Sequence, residues 1–287
     1  MDFLLPGILM VRHYFTLNSQ SDDGFNSSLL SPSVVLRCLQ CDQERRKDTL
    51  KYQKSSRRSV SATRCEAEDP KLPLSSRLSA YREESGKRRP DIAKAYNELV
   101  ERLNVLDRGE IGPQLGQSMP EFSLPDEQGQ LVSLSSLLRS GPVIVSINRG
   151  HWCPYCKLEL RSLAAIHDDI QRLGARVISI MPDSARFTVG YVVQNELPFP
   201  VLSDIDLGYS LSLGLVFWVG AEIQQLYRDV GIELEKYHGN QGCFLPMAAK
   251  FIVGRDGLVK ARQVNLEFRE RMEPEAILAV LQELRVD

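Results

Sequence analysis

PVIVSINRGHWCPYCKLELRSLAAIHDDIQRLGARVISI, residues 142–180, decides how the chain is read. It opens on PVIVSI at 142–147, a short, nearly continuous apolar run rich in β-branched residues and preceded by Gly141. Such a run reads as a central strand covered on both faces. After the cysteine motif, apolar residues at 163, 166, 170 and 173 recur in steps of three and four, and Gly174 follows. That is the pattern of a helix with a glycine stop. ARVISI at 175–180 is a second buried strand. Between first strand and helix sits CPYC, which puts Cys153 at a strand-to-helix junction.

A thiol in that place meets the free N–H groups and the positive dipole end of the helix, and both favour thiolate. Pro154 suits the first helical position, where its missing N–H removes no hydrogen bond. Arg149, four residues upstream, adds a positive charge. Cys156 lies one turn further in, placed to attack a mixed disulfide or a sulfenic acid on Cys153. Zinc binding, a structural pair and redox chemistry are the three readings of a Cys-x-x-Cys. Zinc needs about four ligands. The second Cys-x-x-Cys, Cys38–Cys41, is more than a hundred residues away, and the histidines at 13, 151, 167 and 238 have no metal-ligand spacing. A strand followed by Cys-x-x-Cys at the head of a helix is the context in which the motif signals redox chemistry.

Outward from this stretch, the order continues. A helical stripe at 92, 96, 99, 103 and 106 predicts a lead-in over about 74–106, broken near Gly86 and ended by Gly109. EFSL and QLVSL flank a DEQG turn as short strands. Residues 184–195 read as helix and FPVLSD at 199–204 as a third central strand. AKFIV and LVKARQV around GRDG form a hairpin at 249–264, and EPEAILAVLQELR is a closing amphipathic helix. The fold class is therefore α/β, with the strand and helix order of a thioredoxin-like fold. The domains are read as a variable extension over 1–70, a helical lead-in over 71–112 and the thioredoxin-like domain over 113–287.

The chain has 287 residues, 43% apolar and 25% charged, with a formal net charge of −2. That balance supplies no field for nucleic acid or an anionic membrane surface. No apolar run approaches the roughly 18 residues of a membrane span. Six cysteines are too few for a disulfide-built scaffold, and a reducing compartment is the default. Residues 1–65 hold ten Lys/Arg and six Asp/Glu with frequent serine. Localisation is expected to be cytoplasmic, or a plastid or mitochondrion if 1–70 is a transit segment. No nicotinamide, flavin or metal motif stands out, so no cofactor is expected.

Several separated segments carry a family resemblance over about 72–287: MPEFSLPDEQGQLVSLSSL, RGHWCPYC, FPVLSD, GLVF, FIVGRDGLV and FRERMEPEAIL. Together they resemble the alkyl hydroperoxide reductase/thiol-specific antioxidant family, the peroxiredoxins, and in particular a peroxiredoxin-like group with an RGxWCPYC motif and a helical lead-in. The resemblance implies a thiol peroxidase in which Cys153 is the peroxidatic nucleophile and Cys156 the resolving cysteine. It implies a peroxide substrate, a thioredoxin or glutathione-type reductant and assembly as a homodimer. A glutaredoxin- or thioredoxin-like disulfide oxidoreductase and a redox sensor without turnover are the other readings of the same pair.

Three features depart from the family pattern. Proline seven residues and threonine three residues before the reactive cysteine are here Ser146 and Gly150. The arginine that often precedes the strand after the loop is missing from 245–249, leaving Arg149 and Arg161 as the nearby cations. Trp152 is expected to shield the site and Tyr155 to contact substrate. His151 is expected to be an exposed loop residue and Glu159 part of a solvated helix face. Cys243 is an alternative resolving cysteine or an incidental thiol, and Cys38, Cys41 and Cys65 are incidental.

Overall fold

The computed structural model describes residues 65–106 and 111–286. The expectations for the extension, for Cys38 and Cys41 and for a helix end at Gly109 lie outside the described residues. A five-stranded sheet forms the centre, from β3 (Val143–Ile147), β4 (Arg176–Met181), β5 (Val201–Ser203), β8 (Ala249–Val253) and β9 (Val259–Val264), in the order β5-β4-β3-β8-β9. β3 pairs in parallel with β4, and β4 with β5, whereas β8 runs antiparallel to both β3 and β9. The 142–180 stretch is thus a β-α-β unit, with α5 (Pro154–Ala165) and α6 (His167–Arg172) making the crossover from β3 to β4. With the β8–β9 hairpin and the closing helix α11 (Pro274–Val286), this is the thioredoxin-like arrangement.

The alternation of side chains along β3 divides the core in two. Val143, Val145 and Ile147 face a layer that includes Leu74, Leu78, Leu99 and Leu103 of the lead-in. Ile144 faces the other way, onto Leu160 and Leu163 of α5, Ile170 of α6, Tyr191 of α7 (Ala185–Gln194) and Ile277 and Leu281 of α11. All five residues of β3 are buried, which is why its sequence reads as an apolar run rather than an alternation.

The lead-in contains a short α1 (Cys65–Glu68), then α2 (Leu74–Arg88) and α3 (Pro90–Leu106). The break falls at Arg89, not at Gly86, which stays inside α2. Pro90 is the cause: its ring disfavours the helical region for the residue before it, and Arg89 sits at φ −137°, ψ 73°. α3 docks through Ala95, Leu99 and Leu103. Leu99→Ala should therefore cost about 2–5 kcal/mol of stability, read as a shift in the urea midpoint.

The remaining elements are β1 (Ser123–Pro125), β2 (Leu131–Ser133) and α4 (Leu134–Leu138) before the central unit. The segment 205–245, unresolved by periodicity, folds as α8 (Gly208–Ser212), β6 (Val216–Trp218), α9 (Ala221–Asp229), α10 (Leu234–His238) and β7 (Phe244–Pro246). It matters to the site through α9, which delivers Tyr227.

Candidate active site

Cys153 is the N-cap of α5, with extended backbone (φ −83°, ψ 116°) and Pro154 at the first helical position. Its own N–H donates to the Gly150 carbonyl at 3.1 Å, and its carbonyl accepts from Lys157 N–H at 3.0 Å. The loop 148–152 that ends β3 is thereby folded back over the helix start. Cys153 and Cys156 are both free thiols and both buried, at 1% and 0% exposure.

Arg149 is the nearest cation, with Nη1 4.0 Å from Cys153 Sγ. Its guanidinium is buried and its other contacts are uncharged. Nη2 donates to the Tyr227 hydroxyl at 2.6 Å, which in turn is 3.0 Å from the Tyr96 hydroxyl. The guanidinium carbon lies 3.9 Å from the ring centre of Phe268, 5.3 Å from Trp152 and 5.6 Å from Tyr96. A buried cation among aromatic rings is expensive unless an anion compensates it. Cys153 is the group within reach that can become one. Burial alone would raise the Cys153 pKa, but a hydrogen bond with Cys156 and the Arg149 and Arg271 cations outweigh it. The value falls from 9.0 to about 6. Cys156 moves the opposite way, well above its ordinary value, through burial and through the same hydrogen bond. The two opposite shifts favour the thiolate on Cys153 and the thiol on Cys156.

Beneath Cys156 lies a cluster with no counterpart in the sequence reading. Glu159 is buried, at 1% exposure, where a solvated helix face was expected. It pairs with Lys250 Nζ of β8 at 2.7 Å and with Arg271 Nε at 2.7 Å. The reason is that α5 is covered on nearly all sides: Tyr155, Cys156, Leu158, Glu159, Leu160, Ser162 and Leu163 are all buried. Glu159 is three residues after Cys156 and so stacks on the same helix face. Arg271 reaches from the segment before α11, with Nη2 3.7 Å from Cys156 Sγ and Nη1 donating to the carbonyls of Phe268 and Glu270. It is the site's second arginine. Arg161, the sequence candidate, is half-buried elsewhere on α5.

His151 is not an exposed loop residue. Its N–H donates to Asp183 Oδ2 at 2.9 Å, its Nδ1 is 2.7 Å from Asp183 Oδ1, and its ring stacks on Phe187. The buried Asp183 thereby anchors the loop in front of the cysteines. Trp152 packs against Tyr227 with ring centres 5.0 Å apart and over Arg149. Tyr155 is buried, edge-on to Tyr81 of α2 at 5.1 Å. Trp152, Tyr155 and Tyr227 line a cleft of about 310 Å³ with Tyr81, Arg82 and Tyr96 from the lead-in, so α2 and α3 form the wall beside the redox pair. A larger cavity of about 980 Å³ lies against Phe217 and Trp218, away from the cysteine motif. Cys243 accepts a hydrogen bond from Gln224 Nε2 at 2.6 Å and lies 3.7 Å from Glu235.

Residues 115–262, half of the chain, match the AhpC/TSA family. The chain belongs to that family. It is 30% identical over 89 residues to the chloroplastic peroxiredoxin Q of Sedum lineare, covering 31% of this chain and 47% of that protein. It is 29% identical over 93 residues to a putative peroxiredoxin bcp of Helicobacter pylori, covering 32% of this chain and 60% of the relative. The chain thus spans about half the length of the curated relatives it matches. Among solved structures, peroxidoxin BcpB from Mycobacterium tuberculosis aligns with a TM-score of 0.47 at 19% identity, over 60% of this chain and 97% of that one. Within the AhpC/TSA pattern, the threonine position is Gly150, at φ +144°. A Cβ there would lie 2.5 Å from Trp152 Nε1 and 3.0 Å from Asp183 Oδ2, so the indole fills the space that a side chain would need. The proline position, Ser146, is a paired residue of β3, and its hydroxyl accepts from Asn148 Nδ2 at 3.0 Å.

Proposed function

We propose that the protein is a thiol peroxidase that reduces hydrogen peroxide or organic hydroperoxides with Cys153 as nucleophile and Cys156 as resolving thiol. The observation that carries this reading is the Cys153 sulfur at the head of α5, 4.0 Å from an arginine that contacts no carboxylate among the described residues. Membership of the AhpC/TSA family and the peroxiredoxin relatives support it. The Cys153 thiolate attacks one peroxide oxygen, the O–O bond breaks, and the released alkoxide or hydroxide takes up a proton. Cys153 is left as sulfenic acid. Cys156 attacks that sulfur, water leaves, and a disulfide forms. Two electrons from a thioredoxin- or glutathione-type thiol return the pair to the dithiol.

Stopped-flow oxidation of the reduced protein by hydrogen peroxide tests the reading, beside Cys153→Ser and Cys156→Ser. Rapid oxidation lost in Cys153→Ser, with Cys156→Ser halting at a sulfenic acid trappable by dimedone, is the expected result. Oxidation no faster than that of a free thiol would overturn it. The second reading, a disulfide oxidoreductase, is favoured by Gly150, which brings no hydroxyl to the peroxide, and predicts reduction of a model disulfide by the same pair.

A further inference from the structure

Three buried cations, Arg149, Arg271 and Lys250, surround the two sulfurs, and among the described residues the one carboxylate in contact with any of them is Glu159. Buried charge in excess is costly, so it is compensated by anions the site itself generates. The two arginines are divided between the sulfurs. Arg149 reaches Cys153, and Arg271 reaches Cys156. Arg271 is also the less free of the two to move. Its Nε is held on Glu159 and its Nη1 on two backbone carbonyls, leaving Nη2 directed at Cys156.

The chemistry needs negative charge on the two sulfurs at different times. Cys153 carries it first. Once Cys153 is oxidised or capped, its charge is gone and Cys156 must become the attacking thiolate. We propose that Arg271 is the counter-ion of the Cys156 thiolate in this second step, with Glu159 and Lys250 as positioning residues that hold its guanidinium on the sulfur. The inference rests on the assignment of Cys153 as nucleophile and Cys156 as resolver. Lys250 has a defined part in it. Glu159 by itself would oppose a negative charge on Cys156, and the 2.7 Å pair with Lys250 offsets that while leaving the carboxylate free to orient Arg271. The other groups facing Cys156 are Cys153, Arg149, whose backbone N–H donates to Cys156 Sγ at 3.4 Å, and Tyr191.

The test uses the full chain with Cys38, Cys41, Cys65 and Cys243 replaced by serine, so that only the pair reacts. Treatment with dithiobis(nitrobenzoate) releases thionitrobenzoate twice. In the first release the Cys153 thiolate attacks the reagent, breaking its S–S bond and forming a mixed disulfide. In the second, the Cys156 thiolate attacks Cys153 sulfur, the mixed disulfide breaks and the second thionitrobenzoate leaves as its thiolate. A cation within ~4–6 Å shifts a thiol by about 1–3 pH units, partly offset by the lower nucleophilicity of a more acidic thiolate. Arg271→Gln should therefore slow the second release about five- to fifty-fold at pH 7, move its pH midpoint upward and slow the first release by much less.

Arg271→Lys, which keeps the charge without the fork, should fall between the two. Glu159→Gln/Lys250→Met removes the orienting pair together and should slow the second release with Arg271 intact. Equal slowing of both releases in Arg271→Gln, or an unmoved midpoint for the second, would overturn the proposal. If Arg271→Gln does not fold, the other two variants decide, and wild-type second releases in both would overturn it. No peroxide is present, so a protein that fails the peroxide assay still gives a result here. A fast peroxidase whose second release ignores Arg271 would remove this inference alone.

Discussion

Arg149→Met is expected to slow oxidation of Cys153 by hydrogen peroxide about two- to a hundred-fold at pH 7. With a pKa of about 6, Cys153 is mostly thiolate at that pH. Arg149 is one of the two cations holding the value down, and removing a charge at this distance raises a thiol by about 1–3 units. Burial, the largest influence on Cys153, acts in the same upward direction and would no longer be opposed by the nearer cation. In the wild type the rate should climb between pH 5 and 7 and then level. In the variant it should still be climbing at pH 8. Alkylation by iodoacetamide should show the same displaced midpoint, because it depends on the thiolate and not on peroxide binding. A midpoint that stays near 6 would show that Arg149 does not hold the thiolate.

Stability should respond with the opposite sense. A thiol whose folded pKa is depressed stabilises the fold fully above its unfolded value, and that contribution is lost as the pH falls through the folded one. For Cys153 the window runs from about 9 down to about 6. At pH 5 the protonated sulfur leaves Arg149 buried without an anion. Arg149→Met should then be as stable as the wild type or more so, and lose ground as the pH rises to 8. Thermal melts at the two pH values check this, and a difference in Tm that does not change with pH would contradict it.

The parts of this site that were legible in the sequence are local ones. PVIVSI, CPYC and the stripe at 163, 166, 170 and 173 are consecutive, so periodicity and capping rules place Cys153 at the head of α5. The charges beneath it come from elsewhere. Glu159 and Arg271 are separated by 112 residues. No spacing rule connects residues so far apart, and a helix buried on nearly every side gives no polar stripe to expose a misplaced glutamate. One signal was available. Lys250 interrupts AKFIV, a strand whose other four residues are apolar, and a lysine buried there requires an acidic partner. The same limit applies to the lead-in. Its stripe is legible, but that its aromatic side chains Tyr81 and Tyr96 wall the cleft beside Trp152 depends on packing between separate helices.

Gly150→Thr would restore the residue common in the AhpC/TSA family, and it is expected to damage the protein. The backbone at Gly150 lies at φ +144°, which a β-branched residue adopts only under strain. Its Cβ would also approach Trp152 Nε1 to 2.5 Å, Trp152 Cδ1 to 2.9 Å and Asp183 Oδ2 to 3.0 Å. Backbone strain and overpacking of this kind each cost about 1–3 kcal/mol, so a loss of about 2–6 kcal/mol is expected in urea unfolding. Relief requires Trp152 to leave Tyr227 and Arg149, or Asp183 to release His151, and either movement disturbs the loop that holds Cys153. Oxidation by peroxide should therefore slow, despite the added hydroxyl. Gly150→Ala separates the causes. It introduces the same Cβ without the hydroxyl or the γ-methyl, so it should show most of the stability loss, and the rate difference between Gly150→Thr and the isosteric Gly150→Val isolates what the hydroxyl does to the peroxide. A Thr variant as stable as the wild type and faster with peroxide would mean that Gly150 is not set by its packing. A destabilised pair would mean that glycine, Trp152 and Asp183 form one unit, in which the indole occupies the place of the family's threonine side chain and neither can be exchanged alone.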